Sequence, residues 1–374
     1  MKNLKQGYLP TLDGWRAIAI LAVILDHMTS GLEQGYPHVF ALTRVGANGV
    51  SLFFAISGFL ICSRLLEEEQ KCGHISLKGF YVRRGCRILP AAMTYLAVIG
   101  VLGLVGFITV TPLEWWSSVL FFRNYLPLSW IHRGWGGYTV HYWSLAVEEH
   151  FYLLWPAVLV LTGKARAKYV AGTAAVVIAA WRWWDFRHQW FAQHVPGLLF
   201  PSRTDVRLDA LLLGCLAALL LQKAEWRTRF ARNFRTPVWW LCVMIYCLIQ
   251  ILSRKHYYTL WESALLPLIV VGTVVRPEGW AGRFLEHPVA RWIGRLSYSL
   301  YLWQQFFSVT DLKYPLTWLQ VFPWNIGMLL FVATLSYRYV ERPMIRLGHR
   351  LAPPPTSGRD DIRSEKLVPS AVAS

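Results

Sequence analysis

Residues 12–27 read LDGWRAIAILAVILDH, with Arg16 near one end, His27 at the other, and only Asp26 polar among the residues between them. A soluble amphipathic helix alternates apolar and polar faces. This run is apolar nearly all round, so the spacing predicts a helix buried in a bilayer. Eleven helical positions at about 100° each bring His27 back onto the face of Arg16, roughly 16 Å further along the axis. Ile20 and Val23 lie between the two on that stripe and Ala19 flanks it. With Arg16 at the cytoplasmic mouth, His27 falls near the middle of a ~30 Å hydrocarbon core. Ionisable residues at such depth usually face a cavity and serve function. A base held that deep beneath a fixed cation suits a long ligand with an anionic head and a reactive end. The plainer alternative makes Arg16 a snorkelling anchor and His27 a packing residue. Asp26 points about 100° away from the imidazole, so it orients the ring only through a bend or another helix.

The rest of the chain agrees with a membrane class. Of 374 residues, 55% are apolar and 16% charged, against roughly 25% charged in soluble domains, and the mean hydropathy is +0.34. Twenty tryptophans and 17 tyrosines fit the aromatic belts of lipid–water interfaces. The formal charge of +17 is spread between apolar spans and forms no stripe, which argues against nucleic acid as partner. The six cysteines form no CxxC pair and no metal-ligand spacing with histidine. No A-x-A-like site follows the first apolar run, which is therefore expected to stay as a helix.

Apolar runs long enough to cross a bilayer predict an all-α, polytopic transmembrane bundle of about ten helices, near 15–33, 47–65, 88–110, 144–162, 168–184, 207–222, 237–253, 260–275, 295–312 and 322–340. The tail from Ala352, rich in proline, serine and charge, reads as disordered. Alternating the spans puts 28 of the 38 Lys and Arg with the termini and even-numbered loops. Positive-inside bias then places both termini in the cytoplasm of a cell with the chain in its inner membrane. Between spans two and three, FYVRRGCRILP (80–90) supplies Arg83, Arg84 and Arg87. Guanidinium forks bind phosphate, so this cluster suits the phosphates of a nucleotide-like donor such as coenzyme A. Topology alone, or lipid headgroups, would also account for it.

Taken in order, the Arg16–His27 helix, GVSLFFAISGFLI (49–61), FYVRRGCRILP, WSLAVEEHFYLLWP (143–156), SRTDVRLDALLLG (202–214), GRLSYSLYLW (294–303) and YRYVERPMIRLG (337–348) resemble the acyltransferase family 3 membrane proteins. The likeness runs from about Thr11 to Gly348, so residues 1–348 form one domain and 349–374 a cytoplasmic tail. It implies transfer of an acyl group, often acetyl, from cytoplasmic acyl-CoA to a hydroxyl of a saccharide or glycolipid acceptor; some relatives acylate macrolides. It implies that Arg16 and His27 are an essential pair, that Arg84 and Arg87 hold the donor, and that Glu148 is the acidic residue of the WSL segment. Two positions depart from the pattern: Gln304 stands where many relatives have histidine, and His150 where many have glutamine. Nothing resembling an appended hydrolase domain follows the tenth span, which matches the stand-alone form.

An imidazole suits a general base near neutral pH, so His27 is expected to take the acceptor's proton; an acyl-imidazole is the rival route. Glu148 is expected about one turn below the outer surface, orienting the acceptor or His27, with Ser144 one turn earlier on the same face. A carboxylate near a helix start is the simpler account. Arg203, Asp205, Arg207 and Asp209 read either as an acceptor site at the mouth of span six or as internal ion pairs. Tyr298 and Tyr301 read as interface aromatics, and Glu341-Arg342-Pro343 as the end of the last helix. A lipid-linked glycan flippase is the competing function, weakened because the spans are poor in carboxylates.

Overall fold

A computed structural model describes residues 8–29, 46–127, 130, 137–195, 198, 202–252, 260–308 and 316–353. Among these residues the chain is helical and contains no strand; Pro127 and Leu198 form one isolated antiparallel bridge. The principal helices are α1 (Pro10–Thr29), α2 (Gly46–Cys72), α3 (Leu77–Leu104), α4 (Pro112–Val119), α5 (Tyr142–His188), α6 (Leu208–Leu221), α7 (Ala224–Asn233), α8 (Thr236–Leu252), α9 (Leu260–Val275), α10 (Pro288–Ser308), α11 (Trp324–Ser336) and α12 (Arg342–Leu351). Three have both the length and the apolar content to cross a membrane, at Asn48–Cys72, Leu77–Leu104 and Tyr142–His188, and three shorter apolar helices accompany them. Residues 30–33, 309–312 and the tail beyond 353 lie outside the described residues.

Two expected boundaries are corrected. The third span does not begin at residue 88. Ser76 caps α3, its hydroxyl accepting from the Gly79 amide at 3.1 Å, so Arg83, Arg84 and Arg87 are turns of that helix. Within α5 the chain kinks at Gly163, whose non-helical φ of 67° and ψ of 158° are accessible to glycine without a Cβ clash, so two helices meet there, at the break expected between spans four and five. The last helix does not stop at Glu341: a π turn (Tyr337–Glu341) carries it into α12, with Pro343 in the first turn, where a missing N–H costs nothing.

Glycines set how closely the inner helices approach, as expected where lipid supplies no hydrophobic drive between helices. A Cβ on Gly58 would come within 1.9 Å of the Leu211 carbonyl, and one on Gly214 within 2.5 Å of the Ala55 carbonyl. Each glycine reaches one turn back along its partner, so α2 and α6 run parallel at this crossing. The same logic joins α1 to α10: a Cβ on Gly294 would meet the Asp13 carbonyl at 1.8 Å, and His27 meets Gln304 further along, so this pair is parallel too. Glu114 caps α4 and pairs with Arg123 at 3.7 Å. Arg123 Nε donates to Thr139 at 3.2 Å, drawing residues 138–141 into the bundle, where all four are buried.

Candidate active site

A cavity of about 540 Å³ opens among α1, α2, α3, α5, α10 and α12. Arg16, Arg83, Arg84 and Arg87 line it together with Ser144 and Glu148. Its apolar wall is built from α2, whose Val50, Phe53, Leu60 and Ile61 face it, and Tyr298 and Tyr301 of α10 line it as well. Six residues named from the sequence therefore share one space. The Arg16 stripe faces inward as its spacing demands: Ala19, Ile20 and Val23 are all fully buried.

The arginines are held by carboxylates and carbonyls. Arg83 Nη2 donates to Glu68 Oε2 at 2.8 Å, and its Nη1 to the carbonyl of Ala352, at the end of α12, at 3.3 Å. The Arg84 guanidinium lies 3.7 Å from the centre of the Tyr152 ring, within the range of a cation–π contact, and its Nη2 is 3.9 Å from Glu148 Oε2. Glu148 also accepts from Ser57 Oγ at 3.0 Å and Tyr152 Oη at 2.7 Å. Glu148, expected about one turn below the outer surface and near the acceptor or His27, instead meets the arginine cluster. The 138–141 segment that leads into α5 is itself buried, and α5 brings Glu148 to the arginines.

Two hydroxyls of the lining, from α5 and α10, meet each other. Ser144 Oγ and Tyr301 Oη are 2.5 Å apart, and both reach the His141 carbonyl at 3.1 Å. His27 is half-buried and does not line this cavity. It sits one turn of α10 beyond Tyr301, with Nδ1 2.7 Å from Gln304 Oε1. Asp26 points away from the imidazole and packs on Gly46 at the start of α2.

The outer segment SRTDVRLD resolves into ion pairs. Arg203 Nη1 pairs with Asp185 Oδ2 at 2.7 Å, its Nη2 pairs with Asp205, and Arg182 pairs with Asp209 at 2.7 Å. Burial opposes the Arg203 charge, but Asp205 and Asp185 outweigh it and hold the guanidinium above its ordinary value. Arg207 is buried against Phe54 and Trp143, 5.4 Å from each ring centre. His150 Nδ1 is 2.7 Å from Thr204 Oγ1, away from the cavity.

Comparison with known proteins fits the layout. The acyltransferase domain of the acyltransferase-3 type matches residues 9–337. The chain belongs to the acyltransferase-3 family. A provisionally named O-acetyltransferase of Staphylococcus aureus (strain COL) is 30% identical over 93% of this chain and 59% of its own length. The peptidoglycan O-acetyltransferase OatA of Listeria monocytogenes is 27% identical over 91% of this chain and 56% of its own. The provisionally named peptidoglycan O-acetyltransferase YrhL of Bacillus subtilis (strain 168) is 30% identical over 93% and 57%. The chain therefore spans less than two thirds of the length of these relatives. No solved structure gives a significant match.

This family member also uses residues that sequence patterns passed over. Tyr301 is buried and lines the cavity, and Tyr298 lines it while donating to the Ile88 carbonyl at 2.9 Å; neither is a lipid-facing interface aromatic. Glu341 is buried inside the bundle and accepts from Ser299 Oγ at 3.0 Å. His141 is buried and packed on Tyr95 and Tyr301. Only Gln304 carried a signal, as a departure from the family pattern.

Proposed function

We propose that this acyltransferase moves an acyl group, acetyl by the names of its relatives, from cytoplasmic acyl-CoA to a hydroxyl of an envelope saccharide, with His27 as general base. The observation that carries this is the cavity: four arginines, an apolar wall, and a hydroxyl pair one turn of α10 from the residue that His27 contacts. Arg16, Arg83, Arg84 and Arg87 hold the donor's phosphates, since guanidinium forks match phosphate oxygens. The apolar wall of α2 receives the pantetheine arm. The thioester then lies against Ser144 and Tyr301, and loading of donor and acceptor displaces this hydroxyl pair so that the carbonyl meets the His27 side.

His27 takes the proton of the acceptor hydroxyl as that oxygen attacks the thioester carbonyl. The tetrahedral oxyanion collapses, the C–S bond breaks, and the coenzyme A thiolate takes the proton back from the imidazolium. Positioned proton transfer of this kind contributes about 10²- to 10⁴-fold. Glu148, through Tyr152 and its proximity to Arg84, fixes the guanidinium that meets the donor.

Ten spans with both termini cytoplasmic complete the proposal. Helix directions support it, because the first and ninth spans (α1, α10) run parallel, as do the second and sixth (α2, α6). The experiment is mass spectrometry of envelope glycans from cells with the gene, without it, and with His27→Ala at equal membrane abundance. The acyl mark is expected only with the wild-type gene. An acyl mark at wild-type level in His27→Ala cells removes the base assignment.

A further inference from the structure

We propose that Gln304 and Gln305 form an amide relay that locks His27 in the tautomer protonated at Nδ1, so that Nε2 is the nitrogen that accepts the acceptor's proton. This deepens the functional proposal above and rests on it for the role of His27 alone.

The relay starts at an atom with no choice. The carbonyl of Gly137 can only accept, and Gln305 Nε2 donates to it at 3.0 Å. That fixes the amide of Gln305, whose Oε1 is left to accept from Gln304 Nε2 at 3.4 Å. The Gln304 amide is fixed in turn, and its Oε1 faces His27 Nδ1 at 2.7 Å. An amide oxygen has no hydrogen to give. The hydrogen in this bond therefore belongs to Nδ1, and a neutral imidazole protonated there carries its lone pair on Nε2. Ser308 Oγ donates its one hydrogen to the Gln304 backbone carbonyl at 2.7 Å. Both glutamines are buried, Gln304 completely, so water does not compete for these bonds.

The chemistry follows from the partner being an amide. A partner group that orients one ring nitrogen decides which nitrogen does the work at the other. A histidine in place of Gln304 would have its own tautomers and charge and would fix nothing by itself. Glutamine has neither, so in this chain the direction of the proton is set by the backbone of the segment that leads into α5. Gln304 and Gln305 act through His27 and are positioning residues.

The test reads the tautomer directly. The full chain, with nitrogen-15-labelled histidine and reconstituted in lipid nanodiscs, gives imidazole nitrogen resonances, and His27 is assigned by its disappearance in His27→Ala. In the wild type, His27 is expected to show a protonated Nδ1 and a lone pair on Nε2. Gln304→Leu is expected to shift the ring toward the Nε2-protonated form and to lower the acyl mark on envelope glycans about 10- to 100-fold, the scale on which outer-shell partners act. Gln305→Leu shifts the same resonances less. A wild-type His27 protonated at Nε2 overturns the relay without any variant needing to fold. An unchanged tautomer in folded Gln304→Leu overturns it as well. These results are separable from failure of the functional proposal, which is a wild-type acyl mark in His27→Ala cells.

Discussion

Arg84 and Glu148 meet within one cavity, Nη2 to Oε2 at 3.9 Å, with the Tyr152 ring under the guanidinium and its hydroxyl on the carboxylate. A helix two elements earlier in the chain thus presents its cation to a residue that the sequence alone puts near the far side of the membrane. Groups in contact couple in their effects. On the proposed function Arg84 meets the donor and Glu148 orients the guanidinium, so Arg84→Ala is predicted to cut acyl transfer more than Glu148→Gln. The double variant is predicted to fall short of the product of the two losses. Acyl content of envelope glycans per folded protein checks the cycle.

Ser144 and Tyr301 meet at 2.5 Å in the lining of the cavity, one turn of α10 from the residue that His27 contacts, and on the proposed function they bar the donor from the side of His27. An active site that shuts water away from a reactive intermediate limits its hydrolysis. Tyr301→Ala is therefore predicted to raise thiol release from acetyl-CoA in the absence of acceptor severalfold above wild type, while transfer to glycan falls. Release unchanged from wild type would mean that the pair is no barrier.

Much of the fold was legible because apolar runs report on a bilayer by a simple rule. The run at residues 260–275 coincides with α9, and 207–222 with α6 to within one residue at each end. The third span was placed late because Arg83, Arg84 and Arg87 look like loop residues to a hydropathy count, which has no means of seeing that they line a cavity. The stripe from Arg16 to His27 was legible for the same reason that a helix has a fixed period. Glu148 was misplaced because the burial of residues 138–141 depends on Arg123, Thr139 and Glu114, contacts that carry no periodic signal. The two glutamines were opaque as a pair: their function lies in which amide atom faces which neighbour.

Gly58 and Gly294 are predicted to tolerate no side chain. The atoms a Cβ would strike are backbone carbonyls of Leu211 and Asp13, which cannot rotate aside. Gly58→Val or Gly294→Val is expected to destabilise by about 3 kcal/mol or more, the upper range of overpacking. Gly327→Ala, with nothing within 4 Å of the added carbon, is expected to stay within about 0.5 kcal/mol. Thermal denaturation in detergent with a thiol-reactive or tryptophan signal checks the contrast.

Arg203 separates the two readings of the outer segment. It is buried and bound by Asp185 and Asp205, and removing one partner of a buried pair costs about 3–5 kcal/mol. Arg203→Met is predicted to lower the midpoint of thermal unfolding while the activity per folded molecule stays near wild type. A stable variant with weakened acceptor use would instead make Arg203 an acceptor-binding group.

The most direct measurement of the whole account is transfer itself, in sealed inside-out membrane vesicles given radiolabelled acetyl-CoA from the cytoplasmic face. Wild-type vesicles are predicted to place label on glycan, and vesicles with an equal amount of folded His27→Ala to place about a hundredth of it or less. Equal labelling by the two would contradict the claim that His27 carries the proton.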